Sequence, residues 1–160
     1  RIDMGFLGAA QIDKFANINT TIIGSDYKNP KVRLPGAGGA PEISGACKEV
    51  VVILKHSPRA FVEKIDFITS LGFGSGPGSR KAAGLIGTGP SAVITDLGVL
   101  KPDPESCELT LVQIHPGVTV EEVKENTSWD LKVASSVTVT GEPTQVELEK
   151  VRLLVASSRI

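Results

Sequence analysis

Residues 36–40, Gly36-Ala37-Gly38-Gly39-Ala40, are the stretch of this chain best suited to hold a reacting group. Glycines let backbone N–H groups turn toward a ligand with no side chain in the way. Pro41 suits the first turn of a helix, where its missing N–H is not needed, and Glu42 complements the positive end of that helix. A glycine bend running into a helix can receive an oxyanion, a thioester carbonyl or a phosphate. On pattern alone, a purely structural turn is an equal alternative. No Lys-Ser or Lys-Thr follows the glycines, so this is not a Walker loop, and the spacing does not match the dinucleotide fingerprint.

The other reactive side chains form no constellation. His56 and Ser57 are adjacent, and on an extended chain neighbouring side chains point to opposite faces. A hydrolytic triad needs nucleophile, base and orienting group to converge, and nothing in the sequence brings them together, so His56 reads as structural. His115 precedes Pro116-Gly117 and reads as a turn residue, while Trp129 reads as core. Cys47 and Cys107 are far apart, and the two histidines are equally scattered. With no short-spaced ligand cluster, no metal site is expected. The cysteines read as core packing in a reduced, cytoplasmic setting.

The elements around the bend follow α/β grammar. Residues 4–12 read as a strand buried on both faces and residues 18–23 as a β-branched strand. The turn 13–17 joins them as a hairpin or meander. Residues 25–35 are a proline-bearing loop. A short helix over 41–47 feeds the strand 49–54, and residues 61–68 are extended or mixed. The glycine-rich stretch 71–89 has no periodicity and reads as a long surface loop. Strands at 92–100 and 108–114 flank a turn at 101–104. Thr119 caps a helix through Lys124, with Glu122 at the capping-box spacing. A short strand at 131–134 and an amphipathic helix over 144–155 complete the chain.

Composition excludes several partners. Seventeen Lys and Arg against 18 Asp and Glu, a formal charge of −1, leave no basic footprint for nucleic acid. Aromatic residues at 4% leave no stacking platform for single strands. The apolar run 50–54 falls far short of the roughly 20 residues that span a bilayer, so no membrane partner is expected. The chain opens Arg1-Ile2-Asp3 and enters an apolar segment almost at once, which reads as a fragment.

Several segments, in order, resemble the β subunit of family I coenzyme A transferases, a family that includes glutaconate, 3-oxoadipate and succinyl-CoA:3-ketoacid transferases. The matching residues are Gly5-Phe6-Leu7-Gly8-Ala9-Ala10-Gln11-Ile12, Asn17-Ile18-Asn19 and the bend Gly36-Ala37-Gly38-Gly39-Ala40. They continue with Val50-Val51-Val52 leading to His56-Ser57, then Ala92-Val93-Ile94-Thr95-Asp96. Last comes Leu109-Thr110-Leu111 running into Pro116-Gly117-Val118-Thr119-Val120. The resemblance implies an open α/β sheet of the type shared with sugar-phosphate isomerases. Residues 1–160 would be the carboxy-terminal portion of a single β-subunit domain lacking its amino-terminal part. It implies a partner α subunit in a hetero-oligomer, and ping-pong chemistry through a glutamyl-CoA thioester. Coenzyme A thioesters and carboxylates would be substrates, with no cofactor bound permanently.

On this resemblance, backbone groups of Gly36, Gly38, Gly39 and Ala40 contact the thioester or its oxyanion, and Gln11 and Asn19 are weaker candidates for polar pocket walls. The family's catalytic glutamate lies upstream of the segment matching residues 4–12, so none of the catalytic residues falls in this chain. Glu42 is a helix-end charge rather than its replacement. Ala16 stands where the family's turn usually has glycine. Two alternatives remain: a hydrolase on the same scaffold that cleaves a ring-opened CoA thioester, and a non-catalytic scaffold.

Overall fold

Six strands form one open sheet in a computed structural model that describes residues 2–157. Their order is β1 (Met4–Leu7), β6 (Glu49–Ile53), β7 (Pro90–Ile94), β8 (Gly98–Pro102), β9 (Leu109–Ile114) and β10 (Lys132–Val139). β1, β6 and β7 run parallel, β8 runs antiparallel to both neighbours, and β9 and β10 are parallel. The strand β6 is Glu-Val-Val-Val-Ile, whose β-branched side chains favour extended backbone. Flanked by parallel partners, it buries Val50, Val51 and Val52. The core continues through Ile12, Phe61, Val93, Leu100, Leu109, Leu111 and Val123. This is the open α/β sheet expected from the sequence.

Two expected strands are each broken in two. Residues 4–12 divide into β1 and β2 (Gln11–Ile12). β1 lies at the sheet edge rather than buried on both faces, leaving Met4 and Phe6 exposed. Residues 18–23 divide into β3 (Ile18–Asn19) and β4 (Ile22–Ile23) because the Asn19 carboxamide oxygen accepts from the N–H groups of Thr21 and Ile22. β2 and β3 form the expected hairpin. Asp13 closes its turn by accepting from the N–H groups of Phe15 and Asn17, and Ala16 stands at φ 56°. That left-handed position explains why a glycine would suit it. β4 pairs with a short β5 (Val32–Arg33) inside the expected loop.

Residues 92–100 are a hairpin, not one strand. The Thr95 hydroxyl accepts from the N–H groups of Leu97 and Gly98 and turns β7 into β8. Gly98 is required there, because a Cβ would enter the backbone of Gln113 and Ile114. The last strand is longer than expected, with an irregularity between Val133 and Thr138.

The glycine-rich stretch 71–89 lies partly at the surface, as expected, but is anchored at Gly72, Gly76, Arg80, Gly87 and Gly89, which are buried. It contains α2 (Ser79–Ala82), and its irregular backbone is satisfied by two buried side chains. The Asn17 carboxamide accepts from the N–H groups of Gly72 and Gly74 and donates to the Gly74 carbonyl. The Arg80 guanidinium donates only to carbonyls, those of Leu71, Gly72, Gly87 and Ser44. The last of these belongs to α1 (Ala40–Ala46), so Arg80 fastens the stretch to the helix behind the glycine bend. α1 lies flat on β1 because residue 5 is glycine; a Cβ there would sit 2.5 Å from Ile43 Cγ2.

Thr119 caps α3 (Val120–Glu125) as expected, its hydroxyl accepting from the Glu122 N–H at 3.1 Å. The final helix, α4 (Gln145–Ser157), buries none of its described residues, and Val146, Val151, Leu153 and Leu154 are exposed.

Replacing Arg80 by Met would strand several buried carbonyls. A loss of about 3 kcal/mol of stability is expected, measured by denaturant unfolding. Arg80→Lys keeps the charge but offers three donors instead of five, so it should recover only part of the loss.

Candidate functional site

The glycine bend is held at both ends and open in the middle. At its start, Gly36 donates its N–H to the Thr20 carbonyl at 2.9 Å, and the Thr20 hydroxyl donates to the Gly36 carbonyl at 2.8 Å. At its end, Ala40 donates to the Ala37 carbonyl at 3.0 Å, and Gly39 caps α1 by accepting from Ile43. Gly36 and Gly38 have φ values of 100° and 51°, conformations that other residues rarely adopt. A Cβ built on Gly36, Gly38 or Gly39 would meet nothing within 4 Å. Between the two anchors, the N–H groups of Ala37, Gly38 and Gly39 have no acceptor among the described residues. Unpaired amides at an open surface are free to receive an acceptor from a ligand.

A depression of about 410 Å³ adjoins the bend. Phe6, Leu7 and Gly8, at the carboxyl end of β1, form one wall, and Leu34, Gly36 and Ala37 form another. Ligands of open α/β sheets commonly bind beyond the carboxyl ends of the strands. Thr20 is the only polar side chain on this lining, which includes no charged one. A larger hollow of about 500 Å³ lies along α1, between Ile2, Ile43, Cys47 and Ile86, with Glu42 at its margin. Its walls are almost wholly apolar, and it adjoins neither the free amides nor a convergent polar group, so the smaller depression is the better site.

The expected site residues divide accordingly. Gly38 and Gly39 present free N–H groups. Those of Gly36 and Ala40 are committed to Thr20 and Ala37, and the third free N–H is that of Ala37. Gln11 and Asn19 are not brought to the depression. Asn19 donates to the Gln11 carboxamide oxygen at 2.7 Å and to the Ile22 carbonyl, and Gln11 donates to Asp66 at 3.0 Å. Asn19 is fully buried and Gln11 nearly so, which fits side chains that brace the segment carrying Thr20. Thr20 itself carries no signal in the sequence, because one hydroxyl in Asn19-Thr20-Thr21 looks like any other strand threonine.

The histidines are structural. His56 is buried, its ring stacked on Phe61 with centroids 3.7 Å apart. Its nitrogens lie 3.2 Å from the Thr95 hydroxyl and 2.9 Å from the Thr127 hydroxyl. Burial pulls its pKa down to about 4, against a smaller opposing pull from Asp96. His115 bonds to the Thr140 hydroxyl and the Thr95 carbonyl at a strand end. Trp129 packs on Phe61. Cys47 and Cys107 are both free thiols, the first buried and the second half-buried. Among the described residues, no group of three or more His, Cys, Asp or Glu could hold a metal ion, and no helix is long and apolar enough to cross a membrane.

Residues 1–126 match the model of the coenzyme A transferase family. The chain is 59% identical to a 3-oxoadipate CoA-transferase subunit of Pseudomonas knackmussii, across 98% of this chain and 60% of that protein. The crystal structure of glutaconate coenzyme A-transferase from Acidaminococcus fermentans superposes with a TM-score of 0.86 at 39% identity, covering 93% of this chain and 56% of that one. A cholesterol ring-cleaving hydrolase subunit of Rhodococcus jostii is 28% identical over 91% of this chain and 56% of its own length. The chain thus spans little more than half the length of these relatives.

The buried neutral His56 makes a prediction about pH. Its pKa falls from 6.5 in the unfolded chain to about 4 in the fold, so the unfolded state binds the extra proton. Stability should be full above pH 6.5 and decline as the pH falls toward 4. Unfolding midpoints measured across that range should drop less steeply for His56→Gln than for the parent.

Proposed function

The chain belongs to the coenzyme A transferase family, and on that footing we propose that it forms the carbonyl-receiving portion of a transferase β subunit. The observation that carries this reading is the run of three adjacent unpaired N–H groups, on Ala37, Gly38 and Gly39, the first of which belongs to a residue lining the open depression. Residues 1–160 are the carboxy-terminal portion of a single β-subunit domain, paired with an α subunit in a cytoplasmic hetero-oligomer. The substrates are an acyl-CoA and a carboxylate, and no resident cofactor takes part.

The chemistry asks little of this chain beyond placing donors. A glutamate carboxylate from outside it attacks the acyl-CoA carbonyl. The carbonyl π electrons move onto oxygen, and the amides of the bend stabilise that charge where it develops. Collapse breaks the C–S bond, releasing CoA thiolate and leaving an acyl-glutamyl anhydride. The thiolate then attacks the glutamyl carbonyl, expels the first carboxylate product and leaves a glutamyl-CoA thioester. An incoming carboxylate repeats these steps in reverse. Backbone donors suit this sequence because each tetrahedral oxyanion needs neutral hydrogen bonds and no proton transfer. Hydrolysis on the same scaffold would put water in place of the acceptor acid. Transfer is favoured because the higher identity is to the transferase subunit.

The full-length β subunit, assembled with its α partner and incubated with acyl-CoA, should pass CoA to a carboxylate acceptor. Hydroxylamine should then convert one glutamate to its hydroxamate, visible by peptide mass. Absence of transfer to any carboxylate acceptor would sink the proposal. Gly39→Pro removes one of these donors, since proline has no backbone N–H. Its kcat should fall about a hundredfold, by analogy with loss of one oxyanion donor.

A further inference from the structure

We propose that Thr20 is a positioning residue whose hydroxyl aims the Ala37 N–H at the reacting carbonyl, an inference that rests on the carbonyl-receiving role of the bend. A trans peptide is planar, and its C=O and N–H point in opposite directions. The Gly36 carbonyl and the Ala37 N–H belong to one such unit. The Thr20 hydroxyl holds that carbonyl at 2.8 Å, and among the described residues it is the carbonyl's only donor. With the oxygen turned toward Thr20, the Ala37 N–H points the opposite way and remains unpaired.

Among the described residues no other hydrogen bond holds this plane. Gly36 has no side chain, stands at φ 100° and would accept a Cβ without contact, so a crankshaft turn of the 36–37 peptide meets no packing resistance from residue 36. The Gly36 N–H, bonded to the Thr20 carbonyl, belongs to the preceding peptide and does not constrain the plane. Thr20 itself is firmly placed. Its N–H donates to the Thr69 hydroxyl at 2.8 Å, and that hydroxyl lies 2.7 Å from the Thr21 hydroxyl. Asn19, bonded to Gln11, holds the chain just beyond Thr20 through the Thr21 and Ile22 backbone. The chain of support therefore runs from a buried carboxamide pair, through Thr20, to one peptide plane.

The test uses the assembled full-length enzyme with Thr20→Val, which keeps the side-chain shape and removes the hydroxyl, and Thr20→Ser, which restores it. For Val, kcat should fall about 30- to 100-fold, with KM for acyl-CoA within about threefold of the parent, as for loss of an aligned oxyanion donor. Serine should bring kcat back to within about threefold. A crystal structure of the Val variant should show the 36–37 peptide rotated and the surrounding fold unchanged. A Val variant with parental kcat, a Ser variant as impaired as Val, a change confined to KM, or an unrotated peptide would each overturn the proposal. If the parent assembly transfers no CoA, the carbonyl-receiving role itself has failed. The peptide orientation still decides whether Thr20 sets the plane.

Discussion

Buried backbone groups must find partners, and much of this chain runs outside regular strands and helices. Four side chains resolve that constraint. Asn17 and Arg80 bond the backbone of the stretch 71–89, while Asn19, itself held by Gln11, satisfies the break between β3 and β4. Beside these anchored segments, a short run of N–H groups stays open at the surface.

Arg80 shows how such support reaches the site. Its guanidinium joins Leu71, Gly72 and Gly87 to Ser44 in α1, and the Ser44 hydroxyl returns a bond to the Leu71 carbonyl at 2.6 Å. The helix is only 7 residues long and would be marginal alone. Pressed on β1 through Gly5 and tied from behind by Arg80, it becomes a fixed end for the bend. Thr20 supplies the other fixed end. Support thus comes from segments widely separated in sequence, which meet only in the fold.

That separation also decides what can be read without coordinates. The strand Glu49–Ile53, the helix after the glycines and the Thr119 cap are legible because each signal is local: a β-branched run, a proline at a helix start, a hydroxyl at the capping spacing. The openness of residues 36–40 follows from their lack of side chains. The turn at Thr95-Asp96-Leu97 escapes a sequence reading because it uses a threonine hydroxyl in place of a Gly or Pro pair. The anchoring of residues 71–89 escapes it because one arginine's bonds depend on where distant carbonyls lie. Gln11 and Asn19 look alike as pocket walls or as braces in a one-dimensional text; burial distinguishes them.

A donor made of main chain has an unusual relation to mutation. Every residue except proline carries the same N–H, so single codon changes at positions 37–39 can misdirect these groups but rarely delete them. Side chains such as Phe6 and Leu34 have no such protection. Drift in the gene would therefore reshape the walls of the depression long before it removed the main-chain donors; under the proposed role, acyl preference could wander while the means of receiving a carbonyl is inherited intact.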